Sequence, residues 1–186
     1  QPFENNNLIE KFSKIASKFS VVLPVSFFEK DKNSYYNSVA IIDSNGEVLG
    51  KYRKSHIPQN PGYEEKYYFS PGNSGFKVWE TRVCKIGVGI CWDQWFPECA
   101  RSMALEGADL LFYPSAIGSE PQDPTINSKN HWQTVMRGHA AANIVGVIAS
   151  NRIGNELNND VSMNFYGHSI IINETGEIVK DMGNDE

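Results

Sequence analysis

The sequence is short of cysteine and histidine and has no long apolar run, and each shortage excludes a class of protein. Its 3 cysteines, Cys84, Cys91 and Cys99, are an odd number without paired spacing. That argues against a disulfide framework and fits a reducing compartment, with the cytoplasm expected. The 4 histidines, His56, His131, His139 and His168, form no H-x3-H pair, and the cysteines form no C-x2-C pair. A metal centre is therefore not expected, and no cofactor motif stands out. No stretch reaches the roughly 20 apolar residues of a membrane span. The opening QPFENNNLIEKF lacks the basic-then-apolar order of a secretion signal. Acidic and basic residues are scattered, for a net charge of −5. Without a basic run or stripe, neither nucleic acid nor an anionic membrane is an expected partner. No internal repeat or low-complexity tract is found.

What remains is an ordinary globular composition over 186 residues, enough for one domain with a real core across 1–186. Leu8, Ile9, Phe12, Ile15, Ala16 and Phe19 recur at three-to-four spacing and predict a helix over 6–20. VVLPVSFF (21–28) predicts a strand, although Pro24 sits uneasily in it. SVAIIDSNGEVLGKY (38–52) predicts two strands around a Ser-Asn-Gly turn. Residues 53–80, rich in proline and glycine, predict a long loop of the functional kind. Further strands are expected at 83–90, 108–116, 144–150 and 167–173, with a last extended piece in EIVKDM. Helices are expected at 96–107 and 130–143, and a loop at 118–129. Apolar strands alternating with helices mean an α/β protein, and the hairpins add antiparallel pairs.

GVGICWDQWFPE (87–98) concentrates the chemistry. In the strand before it, Cys84, Ile86, Val88 and Ile90 share one face and Gly87 and Gly89 the other. Cys91 ends that strand just ahead of a helix, where α/β sheets bind ligands. A helix N-terminus offers free N–H groups and positive dipole, which would lower a thiol pKa from about 8.5. The N–H of Trp92 stands where it could meet an oxyanion beside the sulfur. Buried structural cysteine is the competing reading of Cys91, and it is the expected one for Cys84 and Cys99. His139 falls on the apolar face of its helix, as a core histidine would. In GKYRKSHIP, Lys54 falls where a strand gives way to the long loop. Glu64 and Glu65 follow in that loop, flanked by aromatic residues that would desolvate a carboxylate or hold it against a lysine.

YRKSHIP, EKYYF-x-PG and GVGICWDQWFPE, in that order, resemble the nitrilase superfamily of carbon–nitrogen hydrolases. VVLPVSFFEK, YPSAIGSEP, HWQTVMRGHAAAN and ASNRIG extend the likeness nearly end to end. They point to the branch that hydrolyses carbamoyl amines such as N-carbamoylputrescine, a step of polyamine synthesis. The resemblance implies a four-layer αββα sandwich that assembles as a homo-oligomer and needs no metal or cofactor. It also implies a catalytic set with Cys91 as nucleophile, Lys54 and the Trp92 N–H at the oxyanion, and Glu65 as a supporting acid. The family's proton-carrying glutamate lies upstream and has no match here, Glu4 included, so N- and C-terminal parts of the fold are expected to lie outside this sequence. Relatives carry Asp and Gly where this chain has Gln59 and Asn60. Asp93 follows the cysteine where carboxylate-binding relatives have arginine, which favours a cationic carbamoyl amine over a carboxylate substrate. Glu120 is the candidate for a distal ammonium, with Trp92, Trp95 and Trp132 as aromatic walls or core residues. The alternatives are an amidase or nitrilase of the same superfamily with another substrate, and a non-catalytic oligomer-forming relative.

Overall fold

The side chain of Asn6 accepts from the N–H groups of Leu8 and Ile9, a cap that satisfies donors free at a helix start. Helix α1 then runs Asn7–Phe19 in this computed structural model, which describes residues 1–123, 125–158 and 161–184. Pro124, in the expected loop 118–129, lies outside the described residues. Ile9 and Ala16 turn the buried stripe of α1 onto a sheet of three antiparallel strands, β1 (Leu23–Asp31), β2 (Ser34–Ile42) and β3 (Val48–Arg53). Pro24 is tolerated because β1 is an edge strand, where a missing N–H breaks no ladder. The Ser-Asn-Gly turn falls as expected between β2 and β3. Gly46 there has φ +86, and a Cβ on it would sit 2.6 Å from the Ser13 carbonyl oxygen of α1. The tighter β1–β2 hairpin around Lys32 was not legible in the sequence; Lys32 enters the left-handed region at φ 53.

A second sheet holds β4 (Val78–Glu80), β5 (Lys85–Val88), β6 (Leu110–Ser115), β7 (Gly146–Asn151), β10 (Ile170–Ile172) and β11 (Ile178–Asp181). Its order is β11-β10-β7-β6-β5-β4, with β5, β6 and β7 parallel and the other pairs antiparallel. Helices α2 (Pro97–Leu105) and α3 (Lys129–Asn143) cover one face. β8 (Asn155–Asn158) and β9 (Val161–Asn164) form a separate hairpin. That hairpin and β4 were missed by the sequence reading, for their residues are mostly polar or lie inside the loop-rich stretch.

Three apolar layers hold this together. Ala40 and Ile42 pack with Val25 and Phe27 beneath α1, while Val39 and Ile41, on the other face of β2, meet Ile86, Val88 and Ile90 of the second sheet. β2 is therefore buried on both sides, which is why it reads as an unbroken apolar run. The third layer joins the second sheet to α2 and α3, with Met103, Leu111, Trp132 and Met136 fully buried. The expected αββα order is thus present. Gly87 and Gly89 let α2 approach the β5 segment, since a Cβ at Gly87 would stand 2.7 Å from Met103 Sδ and one at Gly89 2.9 Å from Cys99 Sγ. Trp132 belongs to this layer and lines neither cavity near Cys91, so it is core and not a substrate wall.

At the ends of β1 and β3 an ion network fixes the strand that leads to Lys54. Arg53 grips the buried Glu29 through both oxygens, at 2.9 and 2.6 Å, and Ser38 Oγ donates at 2.6 Å. Lys51 also pairs with Glu29. Burial alone would raise the Glu29 pKa, but hydrogen bonds from Arg53, Lys51 and Ser38 outweigh it and hold the carboxyl at about 2. A carboxyl depressed on folding stabilises fully above its unfolded value of 4.5 and loses that contribution as pH falls through about 2. Denaturant titrations at stepped pH are expected to show about 3 kcal/mol lost over this window. Glu29→Gln should be less stable at neutral pH with a shallower acid slope; an unchanged slope would contradict the assignment.

Candidate active site

The β5 segment carries its alternation to Ile90, and the chain then breaks it. Cys91 takes φ 45 and opens a 3-10 turn, Cys91–Trp95, before α2 begins. A residue with a Cβ adopts this region rarely and at a cost of about 1–3 kcal/mol. Asp93 holds the turn closed from beneath. Its carboxylate accepts from the Ile90 N–H at 2.9 Å, the His56 N–H at 2.9 Å and the Tyr52 hydroxyl at 2.8 Å, with His56 Nδ1 also at 2.8 Å. His56 in turn stacks on Phe96 with ring centroids 3.5 Å apart. Asp93 is fully buried and lines neither cavity. The expectation that it meets the substrate is therefore corrected: its acceptors are consumed by the Ile90 and His56 N–H groups, the Tyr52 hydroxyl and the His56 ring.

Gln94 anchors the turn from the other side. Its carbonyl accepts from His139 Nε2 at 2.8 Å, and its side-chain oxygen accepts from Trp132 Nε1 at 2.7 Å and Ser115 Oγ at 3.1 Å. His139 is thus a core histidine, and burial lowers its pKa.

Lys54 follows β3 directly, and its side chain is 0% exposed. Its Nζ donates to Glu65 Oε1 at 2.7 Å, so the loop acid is held against a lysine. Of the aromatic residues flanking it, Tyr67 and Tyr68 are exposed. The loop is stitched to the strand end by Gly72 N–H to the Lys54 carbonyl at 2.8 Å. A Cβ at Gly72 would lie 2.1 Å from the Arg53 carbonyl oxygen, so only glycine permits this approach. Asn37 of β2 completes the cluster, donating from Nδ2 to Glu65 Oε2 at 3.1 Å. Asn37 was not singled out from the sequence, because an asparagine within a strand carries no signal until its partner is known.

The Lys54 charge and the backbone of Ala116 both favour the ionised Cys91 sulfur. Burial nonetheless pushes the thiol up: desolvation outweighs Lys54 and Ala116, and the charges of Glu65 and Asp93 add to it. The expected lowering by a helix N-terminus is corrected accordingly; a five-residue 3-10 turn, not an α-helix, follows the cysteine. Burial thus opposes the Cys91 anion, while Lys54 and the backbone of Ala116 favour it. Burial also raises Cys84 and Cys99; Cys99 is wholly buried beside Tyr113, and neither lines a cavity at the site.

Two cavities meet at Cys91. One, about 260 Å³, is lined by Cys91, Trp92, Trp95, Glu120, Pro58 and His131 among others, so the sequence-predicted substrate residues share one space. The other, about 980 Å³, is lined by Cys91, Glu65, Asn37 and the exposed Gln59. Tyr63 lines both, and its hydroxyl accepts from the Gly118 N–H at 3.0 Å on the loop that leads to Glu120. Among the described residues, no group of three His, Cys, Asp or Glu side chains gathers as a metal site would.

A family profile described as carbon–nitrogen hydrolase matches residues 3–186. The chain is 57% identical to an N-carbamoylputrescine amidase of Oryza sativa subsp. japonica, over 100% of this chain and 63% of that one. It is 55% identical to a citrullinase of Francisella tularensis subsp. tularensis, over 96% of this chain and 62% of the relative. A crystal structure of a carbon–nitrogen hydrolase from Helicobacter pylori G27 superposes with a TM-score of 0.89 at 45% identity, covering 94% of this chain and 62% of that one. The chain therefore spans about 63% of the length of the curated relatives it matches.

A thiol raised by burial and answered by one buried cation predicts a particular reactivity. Iodoacetamide labelling followed by peptide mapping should modify Cys91 at a rate that keeps climbing on the alkaline side of an ordinary thiol titration, with Cys99 protected. A rate already level at neutral pH would contradict the balance of burial and charge described.

Proposed function

We propose that this chain, which belongs to the carbon–nitrogen hydrolase family, carries the nucleophile and oxyanion site of an enzyme that hydrolyses the carbamoyl C–N bond of a cationic carbamoyl amine, N-carbamoylputrescine. The observation that carries the reading is the convergence at Cys91. The buried Lys54, paired with Glu65, acts on the sulfur, and a cavity beside it is lined by one acid, Glu120, together with Trp92 and Trp95.

The steps follow from the groups present. The Cys91 sulfur, once deprotonated, attacks the ureido carbon and forms an S–C bond. The developing oxyanion would be held by the Lys54 ammonium and the Trp92 N–H, the donors that the family resemblance assigns. Ammonia departs with one proton, leaving a carbamoyl thioester. Water adds to that carbon, the thiol leaves, and the carbamic acid released decomposes to carbon dioxide and putrescine. Glu65 is poorly suited to move these protons, because both of its oxygens are engaged, by Lys54 and by Asn37. Its part is to keep the lysine charged and aimed. The family resemblance assigns proton transfer to a glutamate outside this sequence. The distal ammonium of the substrate would pair with Glu120, and its methylene chain would run past the two indoles. Such a product would feed polyamine synthesis.

A ureido amino acid is the second reading, favoured by one observation. Asp93 is withdrawn from both cavities, so the nearby acid no longer disfavours a substrate carboxylate, and the Francisella relative is named for citrulline.

Ammonia release by the full-length protein should be measured with N-carbamoylputrescine, citrulline, carbamoyl-β-alanine and simple nitriles. N-carbamoylputrescine is expected to give the highest kcat/KM, and Cys91→Ser none. Glu120→Gln should raise KM for it about 10–100-fold, the loss of one charge-assisted contact. Failure of wild type to release ammonia from N-carbamoylputrescine, or an unmoved KM in Glu120→Gln, would overturn the assignment.

A further inference from the structure

The geometry points to Asn37 as a positioning residue for the thiol chemistry: its side-chain amide holds Glu65 in the orientation that keeps the Lys54 ammonium at Cys91. This inference rests on reading Cys91 and Lys54 as the reacting pair.

Glu65 has no strand to fix it. It opens a three-residue 3-10 turn, Glu65–Tyr67, in the loop after β3, and its side chain is 23% exposed. A carboxylate so placed can swing towards solvent, and a buried ammonium left without it is unstable. Both of its oxygens are instead taken, one by Lys54 Nζ at 2.7 Å and the other by Asn37 Nδ2 at 3.1 Å. A carboxylate only accepts, so the NH2 end of the Asn37 amide must face it, which fixes the amide's orientation. Asn37 also reaches the lysine from its main chain: the Lys54 N–H donates to the Asn37 carbonyl at 2.8 Å. One strand residue thus ties the acid through its side chain and the cation through its backbone. It sits on β2, paired on both sides within a sheet, whereas the acid it holds sits on a loop. Asn37, Glu65 and Cys91 all line the larger cavity.

The charged groups that act on Cys91 are Lys54, Glu65 and Asp93, the last paired with His56. Asn37→Asp keeps the shape but sets a second carboxylate against Glu65. The pair then shares a proton or adds negative charge near the sulfur. Asn37→Ala removes the donor alone.

The test uses the full-length protein and both variants, reading kcat and KM for N-carbamoylputrescine, the pH profile of Cys91 alkylation by iodoacetamide, and Tm. Both variants should lose about 10–100-fold in kcat, the scale of a misplaced reacting group, with KM moved less than about 3-fold. Asn37→Asp should also shift the alkylation profile to higher pH. Alkylation needs no substrate, so a wild type inactive on N-carbamoylputrescine would sink the substrate reading while Asn37 is still judged. A folded Asn37→Asp with the wild-type alkylation profile would overturn the inference. So would losses in both variants that merely follow Tm.

Discussion

An ammonium group sealed inside a protein is tolerable only if its charge is answered on the spot, and Lys54 is such a group. Removing an ion from water costs several kcal/mol even after relaxation, and a well-placed opposite charge is needed to repay it. Glu65 supplies that charge at 2.7 Å. Much of the surrounding structure serves to make the meeting possible. The Glu29–Arg53 network fixes the strand that ends just before the lysine. Gly72 lets the loop bearing the acid press against that strand end. The two-faced burial of β2 places Asn37 where it reaches both partners.

Cys91 answers a different constraint. Sheet alternation alone would send the residue after Ile90 to the glycine face, under α2. The left-handed Cys91 and the 3-10 turn interrupt that alternation, and the strain is offset by the acceptors of Asp93 on one side and Gln94 on the other. The segment CWDQW thus divides its labour. Its cysteine, its glutamine and its two tryptophans line cavities, while its aspartate lines neither and, with the glutamine, holds the turn that carries them. The enclosure that surrounds the sulfur also raises its thiol. The same enclosure strengthens Lys54 as an electrostatic partner when charge develops.

Periodicity and turn chemistry carried much of this into the sequence. The helix opened by Asn6, the Ser-Asn-Gly hairpin and the apolar strands at the centre of the second sheet were legible because each expresses a local rule. Cys91, Lys54, Glu65, Trp92, Trp95 and Glu120 were legible through motif resemblance, and the structure brings them together around one sulfur. The rest depended on partners distant in the chain. Asp93 read as a cavity acid because nothing local says that Tyr52 and His56 approach it from beneath. Trp132 read as a possible substrate wall because an indole looks the same in a core as in a pocket. The thiol's direction of shift was misjudged because burial, which dominates it, is a property of the packed whole.

The central claim is that Lys54 and Glu65 act on Cys91 as one unit. A double-mutant cycle of Lys54→Met and Glu65→Gln, read as the rate of Cys91 alkylation at fixed pH in the full-length protein, tests it most directly. The cycle should be strongly non-additive, with the double variant no slower than Lys54→Met alone, since Glu65 favours the thiolate only through the lysine and its own charge opposes it. Losses that simply add would show two independent influences and contradict the account.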